Sequence, residues 1–221
     1  MSSLRSLLSV ICLAVAGFLG SQHRLSCADS TSSPLERLED MMKSSEITFS
    51  YTYDVSGMKV GMKGQGSVIL QGESFILEVD GLEIRCDGKT RWTIDRGAEE
   101  LVIEHYDSHS ADLAANPALL LHNVSDLFEV SSQSVAEYSG KKATKVVLVP
   151  KSYPGLRGVT LYFRYGTDES DILIGASVES SDSVVTDFSI VDFAYGPRKD
   201  AGRFTFDVES LGSEWIVTDL R

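Results

Sequence analysis

The chain has 221 residues, 43% of them hydrophobic, with 20 basic against 32 acidic side chains and a net charge of −12. That length suits one domain with a real hydrophobic core. So acidic a surface is repelled by nucleic acid and by anionic headgroups, which excludes nucleic-acid binding and favours a chain that stays soluble beside a membrane.

The first residues set the expected compartment. Arg5 gives a positive start, and Leu7 to Gly20 form an apolar run. The run falls short of the roughly 18 or more apolar residues of a spanning helix. Ser26-Cys27-Ala28 places small residues where a signal peptidase reads, so residues 1–28 are expected to be a signal peptide. An uncleaved anchor is the alternative. Cleavage would leave one domain, residues 29–221, and remove Arg5 and Arg24, so 18 basic residues would face 32 acidic ones, a charge of −14. The expected compartment is the periplasm. Cys27 could instead carry a lipid, although Arg24 stands where such sites usually have leucine.

Residues 29–34 are polar and end in Pro34, a helix start. Leu35, Leu38, Met41 and Met42 follow at helical spacing with acids between them, which predicts one short amphipathic helix. From Glu46 the period changes to two: Ile47, Phe49, Tyr51 and Tyr53 share one face and Thr48, Ser50, Thr52 and Asp54 the other. Strand-like segments follow at 65–71, 74–80, 82–86, 90–95 and 100–105, joined by short links rich in Gly and Asp, as in antiparallel meanders.

The alternation stops near Asp107. Residues 110–128 are rich in Ala and Leu, and Asn116-Pro117 can end one helix and start another. Two short helices are expected there, with Leu113, Leu119, Leu120, Leu121 and Phe128 forming an apolar face. Strands resume near 127–131, 134–139, 143–149, 158–165, 171–179 and 184–195, and Phe204-Thr205-Phe206 opens a C-terminal segment that reaches Trp215-Ile216-Val217. The sum is a mainly β (α+β) fold: one antiparallel sheet of about ten strands. So wide a sheet curls, and with few helices to cover it a cavity under a short helical lid results.

Catalytic patterns are weak. Asp87-Gly88-Lys89-Thr90 looks like the end of a phosphate loop, but Glu83 stands where the pattern needs glycine, so a turn with Gly88 at its tip is expected. His105 and His109 straddle a strand end, which does not suit a shared metal. Cys86 in Leu82–Cys86 reads as a small buried residue. Asn123-Val124-Ser125 matches a glycosylation acceptor, a short and uninformative pattern. No serine sits in a nucleophile elbow. Neither enzymatic activity nor a cofactor or metal is expected.

An apolar and aromatic set stands out instead. Phe49, Tyr51, Tyr53, Phe75, Leu77, Trp92, Ile94, Leu161, Phe163, Phe188 and Ile190 all hold alternating strand positions. Plain core packing explains most of them. The functional expectation is that some line a cavity for an acyl chain, because burial stabilises a bound chain by about 0.8 kcal/mol per methylene.

The stretch from Phe75 to Asn116-Pro117 resembles LolA-type lipoprotein carriers, especially their Bacteroidetes-like versions. The resemblance rests on Leu82 to Cys86 followed by Asp87-Gly88-Lys89-Thr90 and Trp92, then Glu99 to Ile103. Gly64-Gln65-Gly66, Leu148 to Lys151, Phe204 to Asp207 and Val217 to Arg221 extend it in order over nearly all of the chain after residue 28. It implies an unclosed β-barrel with a helical lid, and a monomer that shuttles acylated lipoproteins from the inner to the outer membrane. The implied partners are those lipoproteins, an inner-membrane ABC-type release complex and an outer-membrane acceptor. One position departs: family members that latch the lid with an arginine after the Gly-x-Gly strand have it where this chain has Gly72, beside Gln71. Two other readings remain: a membrane-anchored acceptor resembling LolB, decided by Cys27, and a general periplasmic lipid-binding or sensor module. A hydrolase is a third, disfavoured by the missing nucleophile pattern.

Overall fold

The computed structural model describes residues 32–59, 61–106, 121, 124–152, 155–166 and 172–221. Helix α1, Pro34–Ser44, starts where its sequence says it must. The Ser33 hydroxyl accepts from the Glu36 N–H at 3.2 Å, the Glu36 carboxylate accepts from the Ser33 N–H at 2.7 Å, and Pro34 fills the first turn. Its apolar stripe, Leu35, Leu38, Met41 and Met42, is buried.

Strands β1 (Ser45–Ser56), β2 (Met62–Gln71), β3 (Ser74–Val79), β4 (Leu82–Cys86), β5 (Thr90–Asp95) and β6 (Glu100–His105) form a first antiparallel meander. After the short helix α2 (Val124–Leu127), β7 (Phe128–Tyr138), β8 (Lys141–Pro150), β9 (Leu156–Arg164), β10 (Leu173–Ser180) and β11 (Val185–Pro197) form a second. The two join along β1 and β11, and β12 (Ile216–Asp219) is added beside β6. Among the described residues the result is one twelve-stranded, unclosed sheet in the order β12-β6-β5-β4-β3-β2-β1-β11-β10-β9-β8-β7. The expected mainly β, open-barrel architecture is present.

Three expectations are corrected. The sheet has twelve strands rather than about ten, and β12 runs parallel to β6, so it is not antiparallel throughout. Segments 127–131 and 134–139 form one strand, β7, with a bulge between Val130 and Ser132 that shifts the alternation and mimics a break. The Asp87–Thr90 turn is as expected: the Asp87 carboxylate accepts from the N–H groups of Lys89 (2.9 Å) and Thr90 (2.8 Å), and Gly88 takes a φ of +88°.

The register shows that the sheet buries different faces in different places. In an antiparallel pair, directly opposed residues point the same way. From Tyr51 and Ile47 the pairing leads through Leu70 to Phe75 and Cys86, and in the other direction to Ile190, Leu161 and Val146. These residues belong to the main cluster, to which α1 adds its stripe and Leu121, Val124 and Phe128 add theirs. Across β5, however, Cys86 opposes Arg91, while Trp92 opposes Arg85. Trp92, Ile94, Leu101 and Ile103 therefore lie on the opposite face.

That second cluster is covered by Phe206, Val208, Leu211 and Trp215 of the C-terminal segment. Polar contacts clamp the segment down. Arg85 donates to the carbonyls of Arg203 and Thr205, both at 3.1 Å. Buried Glu46 pairs with Arg203 at 2.6 Å and Lys199 at 2.8 Å.

Candidate functional site: the apolar face of the sheet

The main cluster joins nine of the eleven aromatic and aliphatic strand residues singled out from the sequence. Phe49, Tyr51, Phe75, Leu77, Leu161, Phe163, Phe188 and Ile190 are buried in it, and Tyr53 packs against it partly buried. Trp92 and Ile94 are not brought there; they belong to the opposite-face cluster. Alternation placed every one of these residues on a buried face, but it cannot say which of two faces is buried on a given strand. Of the expected lid, Leu113, Leu119 and Leu120 lie outside the described residues, as does His109. Phe128 is buried as the first residue of β7, one position after α2 ends.

The ring packing is dense. Tyr51 meets Phe188 edge-on at 5.7 Å, and Phe49 stacks on Phe193 at 6.2 Å. Gly64 and Gly66 of β2 make this possible. They stand directly opposite Tyr53 and Tyr51, whose rings lie across the two glycine backbones. A Cβ on Gly64 would fall 2.5 Å from the Tyr53 hydroxyl, and one on Gly66 would fall 2.5 Å from the Tyr51 hydroxyl. The Gly-x-Gly spacing is thus matched to the Tyr-x-Tyr spacing of β1. Tyr53 donates to the Asp80 carboxylate. The Tyr51 hydroxyl is buried and has no hydrogen-bond partner among the described residues, and burial, with the Tyr53 hydroxyl and Asp80 nearby, pushes its pKa far up.

Among the described residues, cover over this face comes from α1 and from Leu121, Val124, Leu127 and Phe128. The Glu39 carboxylate on α1 accepts from the backbone N–H and hydroxyl of Ser125, at 2.8 and 2.6 Å. Lys151 donates to the Ser125 carbonyl at 2.6 Å. Arg198 donates to the carbonyl of Lys43, at the end of α1, at 2.6 Å. The tip of the Arg198 side chain lies beside Gly72, within 3.3 Å of where a Cβ would be. An arginine therefore does reach the foot of the helix, from the segment after β11. Sequence reading missed it because the pairing spans 155 residues. A pocket of about 350 Å³ opens there, lined by Glu39, Met42, Leu121 and Arg198 among others.

At the far side the face runs out to solvent. Val130 and Val135 on edge strand β7 are 54% and 57% exposed, and they oppose Leu148 and Thr144 on the same face. No described strand pairs with the outer side of β7. A groove of about 660 Å³ elsewhere is lined on β1 to β4 by polar side chains such as Ser50, Gln65, Ser67, Glu78 and Glu83, which alternate with the apolar ones.

Among the described residues no group of three or more His, Cys, Asp or Glu could hold a metal ion. Burial pushes the Cys86 thiol up to about 12, and it accepts the Gly88 N–H at 3.3 Å, so at neutral pH it carries no thiolate. Among the described residues no helix is long and apolar enough to cross a membrane.

No protein-family model matches the chain, and no curated protein matches it. Solved structures are similar at low level. A LolA superfamily protein from Nitrosomonas europaea is 10% identical, with 78% of this chain and 96% of that one covered and a TM-score of 0.48. A DUF1329 family protein from Desulfovibrio piger is 8% identical, with 79% and 98% covered and a TM-score of 0.42. The lipoprotein LppX of Mycobacterium tuberculosis is 14% identical, with 72% and 92% covered and a TM-score of 0.35. At TM-scores below 0.5 such likenesses carry no argument about what this chain does.

Proposed function

We propose that the protein is a periplasmic carrier that takes the acyl chains of lipoproteins onto the apolar face of its sheet and shuttles them from the inner to the outer membrane. One observation carries this reading. A continuous aromatic and aliphatic face is covered, among the described residues, by an eleven-residue helix tied down at Glu39 and Lys43 and by Leu121, Val124 and Phe128, and it reaches solvent along β7.

The magnitudes are compatible with reversible loading. Re-exposing Leu35, Leu38, Met41 and Met42 by lifting α1 costs about 6–12 kcal/mol, at 1.5–3 kcal/mol for each side chain. Burying a sixteen-carbon acyl chain returns about 11 kcal/mol or more, at 0.8 kcal/mol for each methylene. The two terms are of the same size, so cargo can replace the helix without trapping either state. The acidic surface keeps the loaded carrier off anionic membranes. The Gly-x-Gly and Tyr-x-Tyr match leaves β2 free of side chains where the aromatic rings need the room.

Transfer of an acylated lipoprotein from inner-membrane vesicles into the soluble fraction tests the proposal. The purified protein should release cargo in proportion to its concentration, in a complex with it. Release that is unchanged by the protein would end this reading.

A further inference from the structure

Tyr51 and Tyr53 offer a comparison within one strand. Both stand on the same face of β1, and both lie across a glycine of β2. Tyr53, at the rim, donates a hydrogen bond to the Asp80 carboxylate. Tyr51 is 2% exposed, deep in the apolar cluster beside Phe49 and Phe188, and its hydroxyl has no partner among the described residues. Leaving a hydroxyl buried without a partner costs free energy that phenylalanine would avoid at the same volume. The ring alone would therefore serve packing better without its oxygen.

Acyl cargo supplies the missing partner. A chain of methylenes is apolar along its length, but it ends in an ester carbonyl, an acceptor without a proton of its own. The Tyr51 hydroxyl lies one side-chain position inside the Tyr53–Asp80 rim, where an apolar face gives way to polar groups. An ester sits at the same kind of boundary in a lipid. Burial keeps the phenol protonated, so it is a donor at any physiological pH.

We propose that the Tyr51 hydroxyl is the hydrogen-bond donor for an ester carbonyl of the bound diacylglyceryl group, and that it makes the site selective for acyl esters over plain hydrocarbon chains. The inference rests on the carrier reading above. Methylene burial cannot separate an ester from an ether of equal length; a buried donor that pairs with the carbonyl, which the ether lacks, can.

The experiment competes two glycerolipids of equal chain length, one diacyl and one dialkyl ether, against a fluorescent fatty acid on the full-length protein. Equilibrium unfolding of the lipid-free protein is measured beside it. The unaltered protein should prefer the ester by about 3- to 10-fold, the value of one neutral hydrogen bond. Tyr51→Phe should bind both lipids equally, at the affinity of the unaltered protein for the ether, and its lipid-free form should be at least as stable. Three results would overturn the inference: a preference that survives in Tyr51→Phe, no preference in the unaltered protein while it binds both lipids, or a lipid-free Tyr51→Phe that is less stable. Binding of neither lipid by the unaltered protein would remove the carrier reading, and this inference with it.

Discussion

The carboxylate of Glu39 on α1 accepts two hydrogen bonds from Ser125, one from the backbone at 2.8 Å and one from the hydroxyl at 2.6 Å. The contact spans 86 residues and joins the two described pieces of cover over the apolar face. It lies at the surface, so its worth to global stability is about 1 kcal/mol or less. Its effect on opening is larger in proportion, because it bridges the two pieces directly. Glu39→Ala should speed hydrogen exchange of α1 amides and the exchange of bound lipid, with the strand amides unchanged. Equal exchange rates in α1 before and after the substitution would show that the contact does not hold the cover.

The exposed lip of the face on β7 gives a test that stability cannot confuse. Val130 and Val135 are more than half exposed, so Val130→Glu with Val135→Glu should shift the unfolding midpoint little, as surface changes usually do. If acyl chains cross this lip, two carboxylates there should slow loading severalfold in a stopped-flow lipid-uptake measurement. Unchanged loading would place the entry elsewhere.

Much of this was legible in the sequence. The helix start at Pro34, the two-residue period of β1 and the Gly88 turn are local features, set by neighbours within four residues. The aromatic face was legible as a list of residues but not as a surface. Trp92 and Ile94 alternate as Phe75 and Leu77 do, yet they lie on the other side, because what buries them is the C-terminal segment more than 100 residues away. The same distance hid Arg198 at the foot of α1 and the parallel pairing of β12. The role of α1 as cover had a signal, the stripe Leu35, Leu38, Met41 and Met42, but a stripe does not name the face it will meet.

The division into two clusters separates stability from binding. Trp92→Ala should cost about 3–5 kcal/mol, as removal of a buried large aromatic does, measured by denaturant unfolding. The fraction that remains folded should bind acyl probes as the unaltered protein does. Phe193→Glu should act the other way. Phe193 stacks on Phe49 at the edge of the main cluster and is only partly buried, so the fold should survive while acyl binding falls at least tenfold, measured by titration. Matching losses of binding in the two variants would contradict the assignment of the faces.

The matched glycines predict a coupling. Gly64→Ala places a methyl against the Tyr53 ring and should cost about 1–3 kcal/mol. In a Tyr53→Ala background the same change should cost far less, a non-additivity that a double-mutant cycle reads directly. Additive losses would show that β2 needs its glycine for another reason.

Acid should weaken the fold partly through Glu83. Burial alone would raise its pKa, but hydrogen bonds from Arg96 and Arg85 outweigh it and hold the group below its ordinary 4.5. A lowered folded pKa means that the unfolded chain takes up the proton first as pH falls. The contribution is therefore complete above about pH 4.5 and is lost as pH drops through the lower folded value. Glu83→Gln should flatten the fall of unfolding free energy over that acidic range, and an unchanged slope would contradict the ion-pair account.

The central claim, that the apolar face takes acyl chains, is met most directly by titrating the full-length protein with one lipopeptide in two forms, acylated and deacylated. Binding should be confined to the acylated form and should slow hydrogen exchange at Phe49, Tyr51, Leu161 and Phe163, where cargo replaces cover. Equal affinity for the two forms, or binding that leaves those amides untouched, would contradict the account.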